Sequence, residues 1–244
     1  YIALLGSMLA GKTYLFLNTK DKQEKLEDTI AKLKPCLLIV DRYNFERIEF
    51  FLSRLKISVQ CVVIESDGKT LNYIKKNKEN SLIESTTELD VYMPPHYISN
   101  IVYIMFTSGS TGVPKKIPIT HHNLRAFLNN IIDRIRPNQA DVFSQINELT
   151  FDFSVYDIFT CWSVGACLCV LPDNYVLSID KYIVDNNISY WSSVPSFISL
   201  LQKLNKLSIN NYKTIRYSVF CGEALTNETV AIWKQAAPNT IVDN

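Results

Sequence analysis

The stretch that decides the fold is residues 101–116, IVYIMFTSGSTGVPKK. Its apolar first half, residues 101–106, is typical of a buried strand, and it passes directly into small and hydroxylated residues. Only 7 of the 244 residues are glycine, against a typical share of about 7%. Where glycine is this scarce, we expect the two glycines of this loop to serve a backbone requirement.

The loop has the chemistry of a polyphosphate cradle. Glycine lets the backbone approach an anion closely, the hydroxyl groups donate hydrogen bonds, Pro114 stiffens the exit and a lysine adds positive charge. A plain Ser/Gly hairpin turn is the alternative interpretation, but it does not explain so many donors followed by Pro-Lys. The predicted cradle consists of Thr107, Ser108, Gly109, Ser110, Thr111, Gly112 and Lys115.

A second candidate phosphate loop runs from Gly6 to Thr13 (GSMLAGKT) and has Walker A spacing. A P-loop must lead directly into a helix, whose N-terminus supplies the amides for the phosphates. Here the following residues 14–17 are strand-like, and the next clear helix begins near Asp21. The preceding residues 3–9 look helical, and Gly11 is available at the end of that helix. The pattern therefore favours a helix end, with a P-loop NTPase as an alternative.

The rest of the chain alternates strand-like and helix-like segments, which predicts an α/β fold built from parallel βα units. Residues 66–97 are polar and end in two prolines, so we interpret them as a surface connection, with at most one short helix, and as the boundary between two lobes, 1–97 and 98–244. Helices are predicted at 21–34, 44–56, 154–163, 179–186, 196–204 and 228–236, and strands at 36–40, 59–64, 101–106, 166–171, 190–193, 215–220 and 240–242.

Composition excludes several classes of protein. Lys and Arg number 25 against 24 Asp and Glu, and this balance argues against nucleic acid as a partner. No apolar run reaches the roughly 18 residues of a membrane span, and no signal peptide is visible. The six cysteines include no CxxC pair, so we expect reduced thiols in a cytoplasmic protein rather than a disulfide scaffold. His121 and His122 offer too few ligands for a metal, and no metal site is predicted.

Four segments, in the expected order, resemble motifs of the adenylate-forming superfamily, which includes acyl-CoA synthetases, luciferases and the adenylation domains of nonribosomal peptide synthetases. Residues 103–115 (YIMFTSGSTGVPK) resemble its signature loop, and residues 9–18 are similar to the early "aGaaYvPlD" segment. Residues 151–159 (FDFSVYDIF) resemble the "FDxSv" motif of the amino-acid-activating branch, and residues 217–225 (YSVFCGEAL) the "GGEaL" segment. The segments FCGE and SVPSF most resemble the corresponding segments of D-alanine:carrier-protein ligases. The chain departs from the motifs at Phe16, Asn18 and Lys116, which replace the usual Pro, Asp and Gly.

The resemblance implies the large N-terminal domain of the adenylate-forming fold, with stacked βα sheets flanked by helices, and it also implies roles for individual residues. Asp152 would face the α-ammonium group of an amino acid, although a helix N-cap is the alternative reading. Gly222 and Glu223 would border adenine. Because two of the residues matched to the side-chain pocket are bulky, we expect a small substrate, such as alanine. The residues matched to that pocket are Phe153, Tyr156, Ser192, Val219 and Cys221.

The implied reaction joins an amino acid to ATP as an aminoacyl adenylate and transfers it to the phosphopantetheine thiol of a carrier protein. We expect the next motif, "YGPTE", to follow Asn244 and to supply the glutamate that binds Mg²⁺, with the catalytic lysine further on. The chain would then be a fragment that holds no catalytic residue and needs the remainder of the domain for turnover. An aryl- or fatty-acid:CoA ligase and a non-catalytic nucleotide-binding module are the alternatives within this fold.

Overall fold

The computed structural model describes residues 1–54, 60–65, 71–75, 82–83, 100–107 and 115–244. The chain divides into two compact units, Tyr1–His96 and Tyr97–Asn244. Within the described ranges the helices of the first unit are α1 (Ile2–Leu9), α2 (Gln23–Leu33) and α3 (Arg42–Arg54), and its strands are β1 (Leu37–Asp41), β2 (Gln60–Ile64), β3 (Leu71–Lys75) and β4 (Leu82–Ile83).

The first unit is built on a β1-α3-β2 crossover, as the sequence predicts. Strands β1 and β2 pair in parallel, with Leu38 opposite Cys61 and Val40 opposite Val63. Helix α2 ends where Lys34 adopts a left-handed conformation directly before Pro35, which cannot continue a helix. One apolar cluster fills the space between the helices and the sheet: Ile30, Leu38, Phe45, Phe51, Cys61 and Val63.

The predicted surface connection at 66–97 contains strands β3 and β4 where it is described. The rest of the segment, for which at most one short helix is predicted, lies outside the described residues. Strand β3 pairs antiparallel with β2, and β4 pairs antiparallel with β3, so the sheet order is β1-β2-β3-β4. The polar composition that suggested a connection also fits strands at the edge of a sheet, where charged residues are common.

The second unit begins with the hairpin of β5 (Ile101–Thr107) and β6 (Lys115–Thr120), followed by α4 (His121–Ile135). The Thr120 hydroxyl accepts a hydrogen bond from the Asn123 N–H, and the Asn123 side chain accepts one from the Thr120 N–H. This capping box fixes the start of α4.

The remainder of this unit forms a five-stranded parallel sheet within the residues described. Its order, β8-β7-β9-β10-β11, corresponds to 2-1-3-4-5 along the chain. The strands are β7 (Val142–Gln145), β8 (Cys167–Val170), β9 (Tyr190–Ser193), β10 (Tyr217–Phe220) and β11 (Ile241–Asp243), and the helices are α5 (Phe153–Ser163), α6 (Ile179–Asp185), α7 (Pro195–Lys203) and α8 (Asn227–Ala236), with a 3₁₀ helix at Asp173–Ser178. The α/β fold class is thereby confirmed.

Both faces of this sheet are covered. Tyr190 and Tyr217 face α4 and α5, in a cluster with Ile135, Phe143, Tyr156 and Cys161. Residues that alternate with them along the strands, such as Trp191 and Phe220, face α6, α7 and α8 on the opposite side. All four residues of β9 are buried for this reason.

Candidate active site

The candidate site lies at the carboxyl ends of β7, β9 and β10. In a sheet of order 2-1-3-4-5 the chain changes direction between the first and third strands, here β7 and β9, and a crevice opens at their carboxyl ends. Helix α5 follows β7 and lies on one face, whereas the helices after β8, β9 and β10 lie on the other. Of the predicted substrate-pocket residues, Phe153 and Tyr156 lie in α5, Ser192 lies in β9 and Val219 lies in β10, and Cys221 directly follows β10.

Asp152 stands at the N-cap position of α5, but its side chain makes no capping hydrogen bond. Instead the first turn is tied by Ser154, whose hydroxyl donates to the Phe151 carbonyl at 2.7 Å. The Asp152 side chain is exposed. Its charge is close enough to contribute, after burial, to raising the pKa of Tyr103 to about 12 and the pKa of the Cys221 thiol above its usual value. The carboxylate is therefore placed among predicted site residues without serving as a side-chain cap.

Three of the predicted pocket residues lie in one cluster on the α5 face of the sheet. The rings of Phe153 and Tyr156 lie 5.7 Å apart, and Val219 packs against the same group. Tyr156 is 6% exposed, and among the described residues its hydroxyl has no hydrogen-bond partner. Burial is the main cause that raises the pKa of Tyr156. Two aromatic rings therefore occupy much of the space beside α5.

Ser192 belongs to a polar group that sequence analysis did not find. It lies opposite Val219 in the pairing of β9 with β10. Its hydroxyl lies 2.5 Å from Asp157 Oδ1, and the Asn147 amide donates to Asp157 Oδ2 at 2.8 Å and to Ser192 Oγ at 3.1 Å. We call Asn147, Asp157 and Ser192 the carboxyl-edge cluster.

Asp157 is 1% exposed. Burial raises its pKa to about 8, since the hydrogen bonds of Ser192 and Asn147, which favour the ionised form, only partly offset the loss of water. Asp157 is the only Asp, Glu, Lys or Arg in α5 (FSVYDIFTCWS). Residues 154–161 of this helix are all buried. A lone carboxyl in an otherwise apolar helix is the signal that could have identified it.

Cys221 and Gly222 continue from the end of β10. Cys221 is exposed, and Gly222 has a φ of 86°, a left-handed conformation that favours glycine. Glu223 binds the start of α7, because its carboxylate accepts hydrogen bonds from the Ser196 N–H and the Ser196 hydroxyl, both at 2.8 Å. The Glu223 carboxylate is therefore engaged in fixing this turn against α7.

The predicted phosphate cradle is described only at its two ends. Thr107 ends β5 and pairs with Lys115 at the start of β6, so the loop closes an antiparallel hairpin. Ser108, Gly109, Ser110, Thr111 and Gly112 lie outside the described residues. The paired ends confirm the strand before the loop and show that a second strand follows it.

The alternative P-loop between Gly6 and Thr13 is contradicted by the structure. Helix α1 comes before Gly11 rather than after Thr13, and it ends with the Gly11 N–H donating to the Met8 carbonyl at 2.9 Å. Gly11 has a φ of 64°, as expected for a residue just past a helix end. The next helix begins only at Gln23, so Thr13 does not lead directly into the helix N-terminus that a P-loop requires.

Disulfides, metal-binding groups and membrane-spanning helices are the remaining features to consider in the described part of the chain. All six cysteines are described and none forms a disulfide. No group of three His, Cys, Asp or Glu side chains within the described ranges is arranged to bind a metal ion. Of the helices that the structure describes, none combines the length and apolar character needed to cross a bilayer.

A doubly wound sheet with polar side chains at its carboxyl edge is typical of α/β proteins that bind nucleotides or small molecules. The comparisons with known proteins narrow that class. The model of the AMP-binding enzyme family matches residues 1–244, and the chain belongs to this family.

Named relatives agree with this assignment. The chain is 35% identical over 221 residues to the L-proline--[L-prolyl-carrier protein] ligase of Pseudomonas fluorescens, covering 89% of this chain and 42% of the relative. It is 24% identical to the D-alanine--D-alanyl carrier protein ligase of Staphylococcus epidermidis, covering 100% of this chain and 46% of the relative. The chain thus spans less than half the length of these curated relatives.

Solved structures give the same result. The Vibrio cholerae adenylation domain AlmE, in complex with glycyl-adenosine-5'-phosphate, matches with a TM-score of 0.80 and 27% identity, covering 98% of this chain and 47% of that chain. The structure of IdnL7 matches with a TM-score of 0.82 and 26% identity, covering 100% of this chain and 48% of that one. The predicted family and fold are confirmed.

Proposed function

We propose that this chain is the part of an amino-acid-activating ligase that holds the amino acid and the phosphates of ATP. The observation that carries the proposal is Asp152: a carboxylate in the connection between β7 and α5, exposed and without a side-chain capping bond. Such a group can pair with the α-ammonium of an amino acid. Relatives named as proline and D-alanine carrier-protein ligases support this class of substrate.

In the proposed first step a carboxylate oxygen of the amino acid attacks the α-phosphorus of ATP. A new P–O bond forms, and the bond to the β-phosphate oxygen breaks, so pyrophosphate leaves with the electron pair. Asp152 would orient the amino acid, and the hairpin loop between Thr107 and Lys115 would hold the β- and γ-phosphates. The loop and the Asp152 carboxylate would accelerate the reaction mainly by holding both reactants in line.

In the proposed second step the phosphopantetheine thiolate of a carrier protein attacks the acyl carbon. A thioester forms, and AMP leaves with the oxygen of the mixed anhydride. The names of the carrier-protein ligases support this partner. ATP as substrate and six cysteines free of disulfides support a cytoplasmic reaction.

Mg²⁺ would accompany ATP in this family and would neutralise phosphate charge. Mg²⁺ bound with a nucleotide is held mainly by phosphate oxygens, waters and one or two carboxylates. Within the described ranges no group of three His, Cys, Asp or Glu side chains is arranged to bind an ion by itself. We therefore assign no step to a metal held by this chain.

The pocket would suit a small amino acid. Phe153 and Tyr156 fill space beside α5, and the glycyl adenylate bound to AlmE and the names of the D-alanine ligases support a small side chain. Gly222 and Glu223 would lie along the adenine. We also propose that residues 1–97 and 98–244 are two lobes of one adenylation domain, which the division into Tyr1–His96 and Tyr97–Asn244 supports.

The test is amino-acid-dependent ATP–pyrophosphate exchange by the full-length protein with a panel of amino, aryl and fatty acids. Asp152→Asn keeps the size of the side chain but removes its charge, and it should reduce exchange with amino acids at least tenfold, since a hydrogen bond to a charged group contributes about 1.5–3 kcal/mol. Asp185→Asn, at an exposed carboxylate on α6, is the matched control and should leave exchange unchanged. Unchanged exchange in Asp152→Asn, or exchange only with aryl or fatty acids, would remove the amino-acid assignment.

A further inference from the structure

Asp157 is a buried carboxyl group for which the proposed reaction has no role. It lies one turn of α5 beyond Phe153, and the described residues provide it with hydrogen-bond partners but no paired cation. Its contacts within the carboxyl-edge cluster form a closed triangle with Ser192 and Asn147, with three distances between 2.5 and 3.1 Å. Each member of the cluster therefore fixes the other two.

Ser192 is held from several sides. Its N–H donates to the Ser144 hydroxyl of β7 at 3.2 Å, and its Cα lies opposite that of Val219 in β10. The backbone at Ser192 is therefore fixed by the sheet, whereas the direction of its hydroxyl hydrogen is decided by Asp157 and Asn147.

We propose that Asp157 is a positioning residue of the amino-acid pocket that acts through Ser192: together with Asn147 it determines where the Ser192 hydroxyl directs its hydrogen. This inference rests on the proposed function, because that function assigns Ser192 to the pocket. It assigns Asp157 an indirect role: Asp157 orients the Ser192 hydroxyl and does not itself touch the substrate.

The hydrogen bonds that Asp157 can make in its two protonation states explain how it orients the Ser192 hydroxyl. Asn147 donates to both Asp157 and Ser192. If Asp157 carries a proton, it can donate to Ser192 Oγ, and the Ser192 hydrogen is left for the pocket. If Asp157 is ionised, it can only accept, and the Ser192 hydrogen turns toward it. The neutral carboxyl group thus presents Ser192 as a donor to the substrate.

The titratable groups around Asp157 do not change charge in the pH range in which Asp157 does. Tyr156 and Cys161 on α5 and Tyr182 on α6 interact electrostatically with Asp157. Burial raises the pKa of both tyrosines and raises that of Cys161 to about 12. Between pH 7 and 9, Asp157 is therefore the member of this set that changes charge.

The main test is a double-mutant cycle in the full-length protein, with Ser192→Ala, Asp157→Leu and the double variant. KM for the amino acid, KM for ATP and kcat are measured by pyrophosphate exchange. Each single change should raise KM for the amino acid about fivefold, the loss of one hydrogen bond, while KM for ATP and kcat stay nearly constant. The double variant should be no worse than Ser192→Ala. Additive effects, about 25-fold, would overturn the proposal.

Asp157→Asn provides a second test that does not depend on the leucine variant folding. Its amide can donate to Ser192 as the neutral acid does, but it does not ionise. From pH 7 to 9, KM for the amino acid should rise about fivefold more in the wild type than in Asp157→Asn. Equal rises in both proteins would show that the substrate ammonium group is the cause and would overturn the proposal.

The outcomes separate this inference from the proposed function. If the wild-type protein shows no amino-acid-dependent exchange, both are wrong. If the wild type is active but the double-mutant cycle is additive and the pH profiles of wild type and Asp157→Asn coincide, only the role of Asp157 is wrong.

Discussion

At both the amino and the carboxyl ends of its strands, the five-stranded sheet carries an aspartate hydrogen-bonded to a serine, but the two aspartates differ in charge state. At the amino edge, Asp141 precedes β7, Ser189 precedes β9 and Arg216 precedes β10; we call these three residues the amino-edge cluster. The Arg216 guanidinium donates to Asp141 at 2.8 and 2.5 Å, and the Ser189 hydroxyl donates to Asp141 at 2.9 Å. Arg216 also lies 4.6 Å from the centre of the Tyr190 ring.

The carboxyl-edge cluster also joins an aspartate to a serine, but an amide replaces the guanidinium. Burial raises the pKa at both aspartates. At Asp141 the hydrogen bonds from Arg216, the Asn138 N–H and Ser189 outweigh burial and lower the pKa below its usual value. At Asp157 burial prevails, and the pKa is raised to about 8. A single cation therefore decides which edge holds an ionised carboxylate.

This difference distinguishes a cluster that holds the sheet together from one that can respond to a ligand. The amino-edge cluster is complete, since every charge in it is paired. The carboxyl-edge cluster contains a proton that can move and a hydroxyl that can turn, and it lies at the edge where open α/β sheets bind ligands. The buried polar groups of one sheet thus perform different tasks at its two ends.

The largest expected effect comes from Asp157→Asn, which removes the proton-binding group. Because the folded-state pKa is raised, the wild type gains stability from this proton at low pH and loses it as the pH rises from about 4 to about 8. The variant lacks this loss, so its stability relative to the wild type should increase across that range by several kcal/mol. Thermal unfolding of both full-length proteins at a series of pH values measures the difference.

Asp185→Asn serves as the control for general effects of losing a carboxylate, because Asp185 is exposed at the end of α6. Its unfolding profile should follow that of the wild type. If Asp157→Asn also follows the wild type between pH 4 and 8, Asp157 is ionised in the folded protein, and the contrast between the two edges disappears.

The next effect, in order of size, comes from Arg216→Gln at the amino edge. It leaves the 4%-exposed Asp141 carboxylate without its cation. We expect a loss of about 2–3 kcal/mol at pH 7, less than for a fully buried pair because Arg216 is partly exposed. Since the pKa of Asp141 is lowered, the loss should shrink as the pH falls below about 4 and the carboxylate gains a proton.

Arg125→Gln, at an exposed position on α4, is the matched control and should change stability by less than about 0.5 kcal/mol. A loss in Arg216→Gln that persists unchanged at low pH would assign the effect to lost packing over Tyr190 rather than to charge.

Periodicity in the sequence predicted the helices and strands of βα units well, because each buries one regular apolar face. The motif resemblance also assigns Asp152 and Ser192 to one substrate site, and this assignment stays a prediction. Strand β7 was not predicted: it is only four residues long, and its buried residues Ser144 and Gln145 are polar. A short strand with polar buried residues lacks the apolar pattern on which prediction depends.

The carboxyl-edge cluster escaped prediction for the same physical reason. Its members come from the second residue after β7, the middle of α5 and the third residue of β9, and only the strand order brings them together. Likewise, nothing local in the sequence indicates that Arg216 pairs with Asp141, 75 positions earlier. Charges and hydrogen bonds between distant segments depend on topology, which one-dimensional patterns do not contain.

The smallest expected effect comes from removing the Tyr156 hydroxyl, which tests whether that group is hydrogen-bonded in the folded protein. Tyr156 and Tyr190 lie in one cluster, but the Tyr190 hydroxyl donates to the Ile135 carbonyl at 2.7 Å, whereas the Tyr156 hydroxyl has no partner among the described residues. Tyr156→Phe should therefore stabilise the protein by up to about 1 kcal/mol, and the matched Tyr190→Phe should destabilise it by about 1 kcal/mol. Chemical denaturation of the two variants measures both. If Tyr156→Phe is as destabilising as Tyr190→Phe, the Tyr156 hydroxyl is hydrogen-bonded in the folded protein, and the cluster around it is more polar than the contacts of Tyr156 indicate.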